Sequence, residues 1–170
     1  SFNGKKKKLA KSLKSLVFFF FCYTPRMQLN INIQNTLLNY EKQLSSSQRY
    51  TLFQNNWKNI FPDYSGVYVI WDNEKPIYVG ETSGLKSRMS DLMRPINHAF
   101  TKKIDNKIEA QSLDELRTYM SDNYKLSYIS IDLGRSEIEE YLILRWRKTL
   151  INKPTTRLLK GSQYSWVKSV

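Results

Sequence analysis

The sequence predicts a mixed α/β fold of the α+β kind, a small three-stranded antiparallel sheet flanked by helices. Three observations carry this. Residues 66–71 and 77–80 are rich in β-branched and aromatic side chains and are separated by the turn formers of Asp72-Asn73-Glu74-Lys75-Pro76, the pattern of a hairpin. Residues 125–133 place Leu126, Tyr128, Ile129 and Ile131 in near alternation, which gives a third strand. Most of the remaining apolar residues recur at three- and four-residue steps, the spacing of amphipathic helices.

In chain order, residues 34–61 carry Leu37, Leu38, Tyr40 and Leu44, then Tyr50, Phe53, Trp57 and Phe61. Ser45-Ser46-Ser47 interrupts them, so two helices are predicted. Pro62-Asp63-Tyr64-Ser65 ends the second and leads into the hairpin. After Thr82-Ser83-Gly84 a helix runs to about Met93, where Pro95 stops it. Two more follow, around 98–108 and 112–124, the latter opened by the capping box Ser112-x-x-Glu115. Gly134 breaks the third strand, and a last long helix is predicted from Ser136 to about Ile151, ended by Pro154.

At 170 residues with 41% hydrophobic content, the chain has enough apolar surface for one compact core and no second full domain. Its net charge is +12, but residues 1–26 hold seven Lys or Arg and no acid, leaving a body with 20 basic and 15 acidic residues, only +5. This leading segment, Lys5 to Lys8 followed by an apolar run from Leu16 to Tyr23, superficially resembles a signal peptide. The run is far short of the ~20 residues that cross a bilayer, and no small-residue cleavage site follows it. The expectation is a leader outside the fold, with Met27 as the natural start and no membrane partner. Residues 27–64 then form a helical extension, 65–160 the sheet domain and 161–170 a tail. Cys22, the sole cysteine, lies in the leader, so disulfide frameworks and cysteine-rich zinc sites are excluded. A thiol-free body fits the cytoplasm.

The residues that carry chemistry are few. Tyr68 and Tyr78 lie an even number of positions apart, so a hairpin loop of odd length projects both from one sheet face, where Gly80 leaves room beside Tyr68. Singly, each reads equally as a β-favouring aromatic packing a small sheet. Arg88 stands beside the stripe Leu85, Met89 and Leu92, a position from which its fork reaches a phosphate inward. A snorkelling or salt-bridged arginine is the structural alternative. Glu139 shares a helix face with Leu142, Ile143, Trp146 and Leu150, and a carboxylate on a buried row needs a partner such as a metal ion. Ser136-x-x-Glu139 also reads as a capping box, which would explain Glu139 without chemistry.

Taken together, Gly66-Val67-Tyr68, Tyr78-Val79-Gly80, Arg88, the run Glu139-Glu140-Tyr141-Leu142-Ile143 and Asn152 near Pro154 resemble the GIY-YIG nuclease module, over about half the chain from Ser65 to Asn152. The resemblance implies a DNA endonuclease that depends on Mg²⁺, or Mn²⁺. It implies Tyr68 as general base, Tyr78 and Arg88 on the scissile phosphate, and Glu139 on the metal, with Gly66, Gly80 and Asn152 in support. Two departures stand out. Leu92 occupies the place of a common His or Tyr, for which His98 is the candidate substitute, and Val replaces Ile in both triplets, a volume-conserving change. Phosphate contacts are expected from Lys86, Lys102, Lys103, Lys107 and Lys148, most plausibly on duplex DNA. Two other readings remain: a module of the same fold that binds nucleic acid without cutting, and an RNA-directed protein stacking bases on Tyr164 and Trp166.

Overall fold

A computed structural model describes the backbone of residues 25–170 and the side chains of residues 31–170. The expectation for the leader therefore falls largely outside the described residues. The chain divides after Asn39 into two units, and the second, Tyr40–Val170, contains the whole sheet. Helix α1, Pro25–Ser46, straddles that division. The second unit continues with strand β1 (Tyr50–Thr51), a single helical turn α2 (Trp57–Ile60), strands β2 (Gly66–Asp72) and β3 (Lys75–Thr82), and helices α3 (Leu85–Leu92), α4 (Ala99–Ile108) and α5 (Leu113–Asn123). Strand β4 (Tyr124–Ser130), helix α6 (Arg135–Arg145) and helix α7 (Thr156–Lys160) complete it.

The mixed α/β class is as predicted, but the antiparallel sheet has four strands rather than three, in the order β1-β4-β2-β3. The added strand replaces the second half of the predicted helix pair. Phe53 and Asn56 adopt left-handed φ values of 58° and 60°, which no α-helix tolerates, and Tyr50 pairs with Leu126 across the sheet. The helical spacing of Tyr50, Phe53, Trp57 and Phe61 serves an aromatic cluster instead. Trp57 meets Phe61 edge-on at 4.7 Å between centroids, and Phe61 lies 5.2 Å from Tyr128. Helix α6 also ends at Arg145, short of Ile151. Thr149 and Leu150 both donate to the carbonyl of Trp146, turning the chain so that the Ile151 N–H reaches the carbonyl of Ile77 on β3.

The hairpin solves its parity problem by a route that the sequence does not display. Asp72 faces Lys75, so the turn is only the two residues Asn73-Glu74, with Asn73 at φ 52°. An even loop alone would send Tyr78 to the face opposite Tyr68. Between Ile70 and Trp71 the register slips by one, leaving Ile77 as an unpaired bulge residue. Beyond it Ile70 faces Tyr78 and Tyr68 faces Gly80, and both tyrosines stand on one face.

That face is covered by the helices after the hairpin and by the aromatic cluster, with Tyr68, Ile70, Leu126, Leu85, Met89, Leu92, Phe100, Ile104 and Met120 in one core. The other face carries Val67, Val69, Trp71 and Ser127. Trp71 contacts Trp146 just past α6, and its indole N–H donates to Ser127, whose hydroxyl donates to the Leu44 carbonyl of α1. Residues 161–170 lie along α6: Tyr164 is buried and donates to the Glu137 carbonyl, and Trp166 stacks on Tyr141. The two aromatics expected as exposed stacking platforms are thus engaged by the protein itself. Among the described residues no helix is long and apolar enough to cross a membrane.

Candidate active site

Tyr68 is completely buried at the centre of β2, and its ring lies over Gly80. A Cβ at position 80 would sit inside the van der Waals envelope of that ring, so glycine there makes the space Tyr68 occupies. Gly66 answers a different crowding, since a Cβ would strike the Ile129 carbonyl and come within 2.9 Å of the Leu85 side chain. The Tyr78 ring lies 6.3 Å from that of Tyr68 in a stacked arrangement.

Two N–H groups converge on the Tyr68 hydroxyl. Arg88 Nε donates to it at 3.2 Å, and His98 Nε2 lies 2.8 Å away. The role of the imidazole is fixed by its other side, because Nδ1 accepts the Phe100 backbone N–H at 3.2 Å, capping α4. A neutral ring that accepts at Nδ1 carries its proton at Nε2, so His98 donates to Tyr68. His98 is buried, only 1% of its surface being accessible. Burial and the Arg88 charge push its pKa down to about 3, so it stays neutral.

The electrostatics are those of a buried pair of phenols beside one strong cation. Burial, reinforced by Tyr78, holds the Tyr68 phenol well above the usual tyrosine range, while Arg88 acts in the opposite direction. Burial raises Tyr78 as well, again against Arg88. Burial disfavours the Arg88 guanidinium, but the two phenols beside it raise its pKa overall.

Glu139, on α6, lies close enough to Tyr68, Tyr78 and Arg88 for charge to act between them. The capping-box reading of it fails: the helix is capped by Gly134 at φ 81° with no side-chain bond, so the Glu139 carboxyl is free of that duty. It lies instead beside the Glu81 backbone N–H on the open edge of β3, which favours its ionised form. Burial and the neighbouring charge of Glu81 raise its pKa to about 7, with Glu140 adding and Arg88 opposing. Its charge in turn acts on both Tyr68 and Tyr78. Tyr68, Tyr78, Arg88, His98 and Glu139 thus share one site.

Asn152 does not enter the hollow. Its amide pairs with both backbone groups of Val79, accepting the N–H at 3.3 Å and donating to the carbonyl at 2.8 Å, as a neighbouring strand would. Glu81, which is not among the residues that the sequence singles out, pairs with Arg135 at 3.0 Å beside Glu139. Strand alternation puts it on the face away from Tyr78, and only the position of α6 makes it a neighbour. A polar cleft opens next to the hollow, lined by Glu81, Thr82, Ser83, Gly84, Ser87, Arg88 and Asp91. Of the expected phosphate contacts, Lys86 lies on α3, Lys102, Lys103 and Lys107 on α4, and Lys148 beyond α6, all exposed.

The residues present fit a hard divalent cation. Glu139 is a half-buried carboxylate beside a second acid, and a cation would relieve the repulsion that raises its pKa. Among the described residues no group of three or more metal-ligating side chains exists. One carboxylate with a shell of waters is how Mg²⁺ is commonly held. A family model described as the GIY-YIG catalytic domain matches residues 64–153. No curated protein and no solved structure gives a significant match.

Proposed function

The chain belongs to the GIY-YIG family, whose domains are generally nucleases, and on that premise we propose that it is a Mg²⁺-dependent endonuclease hydrolysing duplex DNA. The observation that carries this reading is the Tyr68 hydroxyl, on which the N–H groups of Arg88 and His98 converge. Both donors act toward the phenolate, the form able to take a proton from water, against the burial that raises the phenol's pKa. Water's oxygen then bonds to phosphorus, its proton passes to Tyr68 Oη, and the sugar oxygen leaves with the electrons of the broken P–O bond.

Arg88 and Tyr78 hold the nonbridging oxygens. The guanidinium is half-buried and stays charged, so its attraction for a phosphate is little screened by water. Glu139 would hold the Mg²⁺, which neutralises charge on the phosphate and the departing oxygen. His98 fills the place that Leu92 leaves without a hydrogen-bonding group, and it does so from the start of α4. Lys86, Lys102, Lys103, Lys107 and Lys148 supply contacts to flanking phosphates.

The test is nicking of supercoiled plasmid. The parent protein is expected to cut in Mg²⁺ and not in EDTA, and Glu139→Ala to remove cutting. Tyr68→Phe is expected to lower the single-turnover rate by about 10²- to 10⁴-fold with DNA binding retained. Cutting by Tyr68→Phe at the parental rate would falsify its role as base, and no cutting by the parent would exclude the enzymatic reading.

A further inference from the structure

The lysines read from the sequence as scattered are not equivalent in space. On α4 the exposed Lys103 and Lys107 are four residues apart and share a flank, whereas Lys102 is turned about 100° away on the helix. The ammonium of Lys103 donates to the carbonyl of Ile151 at 3.2 Å, which brings this flank against the turn after α6. That turn carries exposed Arg147, Lys148 and Lys153, and Lys153 folds back onto the Arg147 carbonyl at 3.1 Å. Five cations from two distant stretches of sequence therefore form one patch. None of them belongs to an ion pair among the described residues, unlike Arg49, Arg117, Arg135, Arg145 and Arg157.

The patch is joined to the catalytic hollow by the open edge of β3. Glu139 lies beside the Glu81 N–H at one end of that edge, Asn152 takes both groups of Val79, and the Ile151 N–H takes the Ile77 carbonyl. From Glu81 to Ile77 is four residues, about 13 Å of strand. Measured along the duplex axis, that is about four base-pair rises. We propose that Lys103, Lys107, Arg147, Lys148 and Lys153 form a track for the DNA backbone leading away from the scissile phosphate along the β3 edge. The inference rests on the nuclease reading above and adds the direction in which the substrate leaves the site. The patch carries no exposed aromatic, so its contacts are electrostatic and blind to sequence, unlike a base-stacking surface for single strands.

The experiment is equilibrium binding of a fluorescent 20-base-pair duplex to the full chain in EDTA across a salt series. The triple variant Lys107→Gln, Arg147→Gln, Lys148→Gln removes three exposed charges without touching a hydrogen bond of the fold. It is expected to flatten the plot of log K against log salt by about 2.7, at ~0.9 per lost phosphate contact. The single variant Lys107→Gln is expected to flatten it by about 0.9. A control triple, Lys42→Gln, Lys58→Gln, Lys125→Gln, removes equal charge from α1, α2 and β4 and is expected to leave the slope in place. A parental slope in the patch variants, or equal flattening by the control, overturns the track. If the parent nicks plasmid in Mg²⁺ while the patch variants bind as the parent does, the track alone fails. If the parent neither nicks nor binds, the nuclease reading fails with it.

Discussion

Glu139→Gln offers a test that separates a carboxylate serving a cation from one serving the fold. In the free protein the carboxyl titrates at about 7 against an ordinary 4.5, because its ionised form is half-buried beside Glu81. A carboxyl whose folded pKa is raised contributes stability that is fully present below 4.5 and lost as pH climbs through about 7. At pH 8 the ionised group is therefore a burden on the fold. Each pH unit between the two values corresponds to ~1.4 kcal/mol, so the ceiling is ~3 kcal/mol, and partial exposure and solvent screening bring the expectation to ~1 kcal/mol. Glutamine keeps an oxygen beside the Glu81 N–H while removing the charge. Thermal unfolding in EDTA at pH 8 is expected to show the variant more stable by about 2–4 °C, with the difference vanishing at pH 4.5. Adding millimolar Mg²⁺ is expected to raise the parent's midpoint and leave the variant's unmoved. A variant less stable than the parent at pH 8, with no response of the parent to Mg²⁺, would mean that Glu139 is a structural acceptor for the β3 edge.

Three further outcomes follow from the same geometry. Turnover by the parent is expected to rise with pH across the neutral and alkaline range with unit slope in log kcat, because burial holds Tyr68 above the ordinary phenol range and only its phenolate accepts the proton; a profile flat from pH 7 to 10 contradicts a tyrosine base. His98→Ala removes one N–H from Tyr68 Oη and strands the buried Phe100 N–H, so it is expected to cost ~1–3 kcal/mol in denaturant unfolding and to displace the alkaline limb of the pH profile to higher pH. Gly80→Ala drives a methyl group into the Tyr68 ring, an overpacking worth ~1–3 kcal/mol, and urea titration alongside a nicking assay is expected to show stability and cutting falling together.

Much of the site was legible because two of its features are periodic. The glycine beside each tyrosine and the parity of Tyr68 and Tyr78 follow from the two-residue repeat of a strand, and Arg88 and Glu139 follow from helical spacing. What failed to show was anything set by a single irregular residue. The even turn at Asn73-Glu74 contradicts the parity expectation, and only the bulge at Ile77 restores it. Strand β1 is two residues long and hidden within a helix-like spacing that left-handed Phe53 and Asn56 forbid. His98 was readable as a candidate substitute, but its function as a donor depends on the Phe100 N–H, a tertiary fact of the α4 cap. Glu81 was invisible, since strand alternation assigns it to the wrong face.

The open edge of β3 explains why the carboxyl proposed to hold the metal and a structural amide lie in one stretch of sequence. An exposed strand edge invites pairing with another chain unless its N–H and C=O groups are occupied. Here the outward-facing groups of Ile77 and Val79 are taken in turn by the Ile151 N–H and the Asn152 amide, and the Glu139 carboxyl lies beside the N–H of Glu81. The segment from Ile151 to Asn152 thus behaves as a surrogate strand, although Asn152 uses its side chain for the purpose. Locking Val79 fixes the residue between Tyr78 and Gly80, so the register that sets Tyr68 over Gly80 is held from outside as well as by β2. Glu139 lies on the helix that leads into this clasp, so the helix carrying the carboxyl and the strand carrying Tyr78 are tied to each other through Ile77 and Val79. That tie holds the spacing between carboxyl and phenol, which is the property a phosphate-sized site requires.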